Sequence, residues 1–298
     1  MNVPQIFDYE LPLPDEALGK QESSLLGFDA AYDGVKQQLR LLLQVDELGY
    51  WCQTHHGGVL PICELVTEQY PLIVFHGDVG TGKTVFAECI SNRLARESGI
   101  EDTVLFKLSN RVRGSGKVGE MGSLISDAFD KISESAGRSR RAVVLLDEGD
   151  SIAASRDQQH SHHEDKVAVN TLIQCIDQVR RMGGRVVVFL CTNRIGAVDP
   201  AILRRAAVVK VFERPGITER RALLSQDLEG LSLTDEQIDT LVSLTDENGQ
   251  HPAWTYSDIR TRLYPVALGK AFPDRALIFD DLMHAAQQLE ATPRMASA

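Results

Sequence analysis

Residues 77–84 read GDVGTGKT, a G-x-x-x-x-G-K-[ST] spacing set between the apolar run PLIVFH and a helical pattern that opens at Thr84. The residue types say what such a stretch can hold. Gly77, Gly80 and Gly82 let the backbone fold around an anion, with successive N–H groups pointing inward. The first turn of a helix adds partial positive charge. Lys83 can reach the β- and γ-phosphates of a nucleotide, and the Thr84 hydroxyl can ligate Mg²⁺. Asp78, Val79 and Thr81 fill the loop between the glycines, and Val85 follows into the helix. All are expected to contact ATP.

A phosphate loop binds a nucleotide; hydrolysis needs an acid for the metal and a group that polarises water. Residues 143–148, VVLLDE, supply both at the end of an apolar run. Asp147 is expected to hold Mg²⁺, largely through water, and Glu148 to act on the attacking water. In a parallel sheet, ligands bind at the carboxyl ends of the strands, where both Gly77 and Asp147 fall. Asn193 ends a third apolar run, VVVFLCTN, and can orient that water from the other side. The two adjacent arginines of DPAILRRA, Arg204 and Arg205, fit either a solvated basic edge or a cation that neutralises a neighbouring subunit's γ-phosphate.

A second glycine-rich stretch, RGSGKVGEMG, spaces Gly114, Gly116 and Gly119 as G-x-G-x-x-G. That spacing alone is a weak nucleotide signal. It begins several residues beyond the strand TVLFKLS, and the phosphates are already assigned to 77–84. His160, His162 and His163 stand near Glu164 and Asp165, but no further ligand cluster accompanies them, so a solvated polar loop is expected rather than a metal site. His55-His56 before Gly57-Gly58 reads as a turn. Cys89 and Cys191 read as small core residues.

These groups need a scaffold. From about 70 to 215, short β-branched runs alternate with amphipathic helices, which predicts a parallel sheet covered on both faces. Three blocks follow: 1–68, a Pro-containing loop with one linker helix over AAYDGVKQQLRLLLQVDELG; 69–215, the large α/β part; and 216–298, a small helical lid. Thr218, Thr234 and Ser257 are expected to cap three of the lid's helices. Five cysteines without C-x-x-C spacing suggest a reducing compartment. No leader or membrane-length apolar run is apparent, so the chain is expected in the cytoplasm. With 42 acidic and 31 basic residues, a net charge of −11 argues against nucleic acid or membrane partners.

In their order, these motifs resemble the AAA+ ATPases over about residues 25 to 275: Walker A, Walker B, a sensor-1 asparagine in LCTN, DPAILRR, then a helical lid. Within them, DEGDSIAASRD followed by EDKVAVNTLIQCIDQV resembles the HORMA-remodelling branch, the pachytene-checkpoint ATPases and their bacterial CD-NTase-associated relatives. The resemblance implies an α/β P-loop large subdomain plus a small α-helical lid, assembled as a homo-hexamer with ATP and Mg²⁺ at the subunit junctions. It puts Gly27 and Phe28 against the adenine and makes Arg205 the finger reaching a neighbour, because RRA matches the branch and Val208 replaces the usual second arginine. In the lid, TYSDIRTR has Asp258 where a sensor-2 residue often sits, and Arg260 is a candidate for the γ-phosphate. KVGE resembles a pore loop, with Lys117, Val118 and Gly119 gripping a client. The implied activity is ATP hydrolysis coupled to pulling on a HORMA-domain protein bound to a cyclic-oligonucleotide synthase, restraining anti-phage (CBASS) signalling. A clamp loader, a helicase loader, a protease-partner unfoldase or a non-hydrolysing nucleotide switch are the alternatives.

Overall fold

Strands built almost wholly from Val, Ile, Leu and Phe must be hidden on both faces, and the central strands of this sheet are. The computed structural model describes residues 6–97, 102–109, 119–137, 140–154, 163–249 and 251–295. The sheet strands are β1 (Phe7–Leu13), β2 (Leu72–Gly77), β3 (Thr103–Leu108), β4 (Arg141–Leu146), β5 (Val186–Thr192) and β6 (Ala206–Phe212). Helices α1 (Glu16–Ser23), α2 (Phe28–Leu43), α3 (Val45–His56) and α4 (Pro61–Thr67) precede β2. Then α5 (Lys83–Glu97), α6 (Glu120–Ala136), α7 (His163–Arg180) and the short α8 (Pro200–Leu203) separate the later strands.

The strand order is β1-β3-β4-β5-β2-β6. β3, β4, β5 and β2 run parallel. One set of side chains, Leu72, Val74, Val144, Leu146, Val188 and Leu190, joins a core with Ile125, Phe129, Leu172 and Ile176 of α6 and α7. The alternate set includes Ile73, Phe75, Val143, Val187 and Phe189, all buried. Of these, Val143 and Val187 line a small gap with Ser91, Leu94 and Ala95 of α5. The expected α/β architecture with helices on both faces is what the chain adopts.

Two readings of the N-terminal block are corrected. The stretch read as a Pro-containing loop is β1, paired antiparallel to β3. Pro12 is tolerated because β1 is an edge strand whose outer side needs no ladder donor. Phe7 fixes it by packing on Phe106 at 5.2 Å between ring centroids. The single linker helix is two: α2 ends at Gln44 (φ −111°, ψ 49°) and α3 starts at Val45. Val35 and Leu39 of α2 are fully buried, as their spacing predicts. His55 and His56 form the last turn of α3, with Gly57 (φ 70°) closing it, so the chain leaves the helix two residues later than expected.

By internal contacts the chain divides into two units: residues up to His76 with Thr84–Val211, and Gly77–Lys83 with Phe212 to the C-terminal tail. The second unit holds α9 (Ile217–Asp227), α10 (Asp235–Leu244), α11 (Tyr264–Ala271) and α12 (Phe279–Gln288). They surround a core that includes Leu224, Leu241, Trp254, Ile259, Leu263 and Leu282. Of the three expected caps only Thr234 serves, accepting from the Gln237 N–H. Thr218 lies inside α9, whose cap is Gly216, and Ser257 makes no capping bond. Asp258–Leu263 is a π-helical segment leading into α11. Pro265 has no N–H to return to residue 261, and the turn before it widens.

Candidate functional site

The phosphate loop is shaped by backbone conformations that side chains would block. Gly77 (φ 144°) passes so close to β6 that a Cβ would lie 2.0 Å from the Phe212 carbonyl oxygen. At Gly80 (φ 77°) a Cβ would meet Thr255 Oγ1 at 2.7 Å and Ser257 Cβ at 2.8 Å. Ser257 in turn donates its N–H to the Gly80 carbonyl at 3.1 Å. The lid turn TYSD therefore lies directly on the loop. Lys83 is buried, and its ammonium donates to the carbonyls of Gly77 (3.0 Å) and Asp78 (2.7 Å). Thr81 also donates to the Asp78 carbonyl, at 2.9 Å. Gly82 (φ 92°) completes the loop, and Val79 stands exposed at its tip.

The Asp78 side chain anchors this loop to its own unit. Arg214 donates Nε to Asp78 Oδ2 at 2.6 Å and the Met295 N–H reaches Asp78 Oδ1 at 3.0 Å. Arg214 also donates to the carbonyls of Ala253 (2.7 Å) and Pro293 (3.1 Å). Neighbouring Asp258 is buried and gathers Thr255, Arg262 and Thr292. Burial opposes its ionisation, but hydrogen bonds from Thr292 and Thr255 outweigh it and hold the carboxyl below the usual range. Asp258 ties the C-terminal tail to the lid.

Thr84 follows Lys83 in α5, and its hydroxyl donates to Asp147 Oδ1 at 2.9 Å. Val85 follows, half-buried in the helix. Asp147 lies just past β4, and its Oδ1 also accepts the Glu148 N–H at 3.0 Å. Glu148 is exposed and left-handed (φ 49°, ψ 45°), a conformation that costs a non-glycine residue energy and clusters at working sites. The next residue must be glycine, since a Cβ at Gly149 would meet Leu190 Cγ of β5 at 2.6 Å. Asp150 accepts from the Thr192 hydroxyl at 2.9 Å, and that hydroxyl accepts the Arg194 N–H at 3.0 Å. This latch ties the ends of β4 and β5 together, and half-buried Asn193 follows Thr192 directly. Hard oxygen donors 2.9 Å apart fit Mg²⁺.

The remaining expected residues fall elsewhere. Arg205 pairs with Asp177 through Nε (2.8 Å) and Nη2 (3.2 Å), and its guanidinium lies over the Tyr70 ring. The Asp177 hydrogen bonds keep it above its ordinary pKa. Arg260 makes the same two-pronged pair with Asp227 of α9, both bonds 2.7 Å. Its guanidinium is thus already engaged within the lid. Gly27 (φ 70°) starts α2; Phe28 is buried, packing on Tyr32 and Phe86 under the Arg93 guanidinium. Gly119 (φ 84°) starts α6. Lys117 and Val118 lie outside the described residues, as do His160 and His162. Cys89 and Cys191 are buried, and burial pushes the Cys89 thiol up to about 12.

Sequence reasoning missed Arg214, the tail from Thr292 to Met295, and a cluster of Tyr9, Glu88 and Lys107 beside Asp147. None lies in a recognisable spacing, since their partners stand far away in the chain. Among the described residues no His, Cys, Asp and Glu group forms a separate metal cluster, and no helix is long and apolar enough to cross a membrane.

Comparison with known proteins bears on this geometry. The family described as "ATPase family associated with various cellular activities (AAA)" matches residues 73–214. The CD-NTase-associated protein 6 of Escherichia coli strain KTE188 is 58% identical over 295 residues, covering 99% of both chains. A chain in the structure of the E. coli MS115-1 HORMA:CdnC:Trip13 complex is 34% identical, with a TM-score of 0.89 over 97% of each chain. Rhizobiales Trip13 is 29% identical, with a TM-score of 0.70 over 96% of this chain and 99% of its own.

Proposed function

This chain belongs to the AAA ATPase family, together with the CD-NTase-associated protein 6 proteins, and from that premise we propose that it is an ATP-driven ring that pulls on a HORMA-domain protein. Pulling dismantles that protein's complex with a cyclic-oligonucleotide synthase and so restrains anti-phage signalling in the cytoplasm. The observation that carries this reading is the match along 97% of both chains to a member of the HORMA:CdnC:Trip13 complex.

The residues divide the work as follows. The N–H groups of 77–84 and the start of α5 receive the phosphates of ATP. Lys83, drawn inward onto Gly77 and Asp78, turns to the β- and γ-phosphate oxygens. Thr84 and Asp147 hold Mg²⁺, which when bound neutralises charge on those phosphates. Glu148, carried outward by its left-handed backbone, polarises the attacking water, and Asn193 orients it. Arg205 reaches the γ-phosphate of the adjacent subunit in a homo-hexamer, and Asp177 sets the plane of its guanidinium. Hydrolysis therefore depends on assembly. Gly27 and Phe28 close the site near the adenine, Arg260 senses the phosphates from the lid, and Lys117, Val118 and Gly119 grip the client. The large subdomain is 69–215 and the lid 216–298.

The test is phosphate release by the purified protein, with and without a HORMA-domain protein, alongside gel filtration of a preformed HORMA–synthase complex. ATP-dependent dissolution of that complex is expected. Glu148→Gln is expected to bind ATP and trap the ring, and Lys83→Ala to lose nucleotide binding. Absence of hydrolysis under both conditions, or normal turnover by Glu148→Gln, refutes the reading.

A further inference from the structure

Lys107 is the next-to-last residue of β3, and its ammonium lies between two carboxylates. It is 3.5 Å from Asp147 Oδ2 and 3.5 Å from Glu88 Oε1. Glu88 stands on α5 one turn beyond Thr84, so the helix that carries the hydroxyl also carries this second carboxylate. Tyr9 of β1 is the register partner of Lys107 across the sheet. Its hydroxyl donates to the same Glu88 oxygen at 2.5 Å, and the Lys107 ammonium lies 5.8 Å from its ring centroid. Burial, with the Glu88 hydrogen bond added, pushes the Tyr9 phenol well above its ordinary range, so it stays a donor. The result is a continuous line from Tyr9 through Glu88 and Lys107 to Asp147. On the other oxygen of Asp147 stand Thr84 and the Glu148 N–H. None of the three outer residues has a role in phosphate chemistry.

The geometry points to Tyr9, Glu88 and Lys107 as positioning residues that set the net charge felt at Asp147, and with it the affinity of the Thr84–Asp147 pair for a divalent cation. The inference rests on reading Asp147 as the metal-facing carboxylate. The ammonium holds Oδ2, which turns Oδ1 toward Thr84. It also places a positive charge next to the cation's position and weakens cation binding. Glu88 shares that ammonium and returns part of Asp147's negative charge. Tyr9 restrains Glu88 from taking the ammonium entirely. The side chains of Lys107, Glu88 and Asp147 are 19%, 13% and 29% exposed, so solvent damps the coupling without removing it.

Opposite charge changes must then move cation affinity in opposite directions. The probe is Mn²⁺, with free ion counted by electron paramagnetic resonance in the presence of a non-hydrolysable ATP analogue; nucleotide binding is followed separately by fluorescence. Lys107→Met is expected to tighten Mn²⁺ binding about fivefold and Glu88→Gln to weaken it by about the same factor. High salt shrinks both effects. Lys107→Arg keeps the charge and stays near the parent, and Tyr9→Phe tightens binding slightly. Should Lys107→Met not fold, Glu88→Gln and Lys107→Arg still test the idea, because their hydrogen-bonding capacity is kept. Unchanged Mn²⁺ binding in Asp147→Asn overturns the reading of Asp147 itself. Loss of Mn²⁺ in Asp147→Asn, with Lys107→Met and Glu88→Gln both silent or shifting the same way, overturns the positioning role alone.

Discussion

Arg214 is where the phosphate loop is fastened, and its removal should weaken nucleotide binding without touching any phosphate contact. Its side chain is only 7% exposed, and its guanidinium makes three bonds: to Asp78 Oδ2 at 2.6 Å and to the carbonyls of Ala253 and Pro293. Hydrogen bonds to a charged group are worth about 1.5–3 kcal/mol each, and breaking a buried pair by deleting one partner costs about 3–5 kcal/mol. Asp78 is 18% exposed and keeps the Met295 N–H, which softens the loss. Arg214→Ala should therefore cost about 2–4 kcal/mol, a fall in Tm of roughly 3–6 °C on a chain this size. The Asp78 carbonyl that accepts from Lys83 and Thr81 loses its anchor, so ATP must reorder the loop on binding. A weakening of about tenfold in Kd corresponds to about 1.4 kcal/mol of that ordering. The assay is a thermal melt plus titration with a fluorescent ATP analogue, run as a double-mutant cycle with Asp78→Ala. Coupling of about 1–3 kcal/mol between the two is expected. Unchanged Tm and Kd in Arg214→Ala, or strictly additive effects in the cycle, would refute the reasoning.

Glu148→Gly should relieve the left-handed backbone, raising Tm by an amount equivalent to about 1 kcal/mol while turnover falls at least 100-fold; a melt and a phosphate assay on one sample check both. Arg205→Ala should leave ATP binding intact and cut ring-dependent turnover about a thousandfold, a deficit that mixed rings with Glu148→Gln subunits can apportion between neighbours. Asp258 has a folded pKa below its ordinary 3.8, so it binds fewer protons folded than unfolded. Its stabilisation is complete above that ordinary value and is lost as the pH falls through the folded pKa. Asp258→Asn should flatten the acid limb of the lid's stability curve, measured by melts between neutral and acidic pH.

Legibility divided along chain distance. The loop 77–84, the Asp147-Glu148 pair and Asn193 could be placed at strand ends because each follows an apolar run that announces a buried strand. Helices and parallel strands from β2 onward followed from the same periodicity. The reading failed at β1, where Pro12 and Pro14 suggested a loop. Only its pairing with β3 and the seating of Phe7 against Phe106 make it an edge strand. It failed again at the lid caps, since whether a Thr or Ser caps a helix depends on where the backbone turns. Thr234 stands at that point and Thr218 two residues too late.

By itself the sequence determined the nucleotide chemistry, because glycines, a lysine and a hydroxyl at fixed spacing dictate where a backbone can cradle phosphate. Tertiary structure alone decided which charges meet. Tyr9 reaches Glu88 across 79 positions and Met295 reaches Asp78 across 217. Arg205 and Arg260, both expected to reach a γ-phosphate, are each turned onto a partner carboxylate, Asp177 and Asp227. Coulomb attraction acts over a few ångströms and is blind to sequence separation. Such pairs exist only after the sheet and the lid helices have brought their carriers side by side.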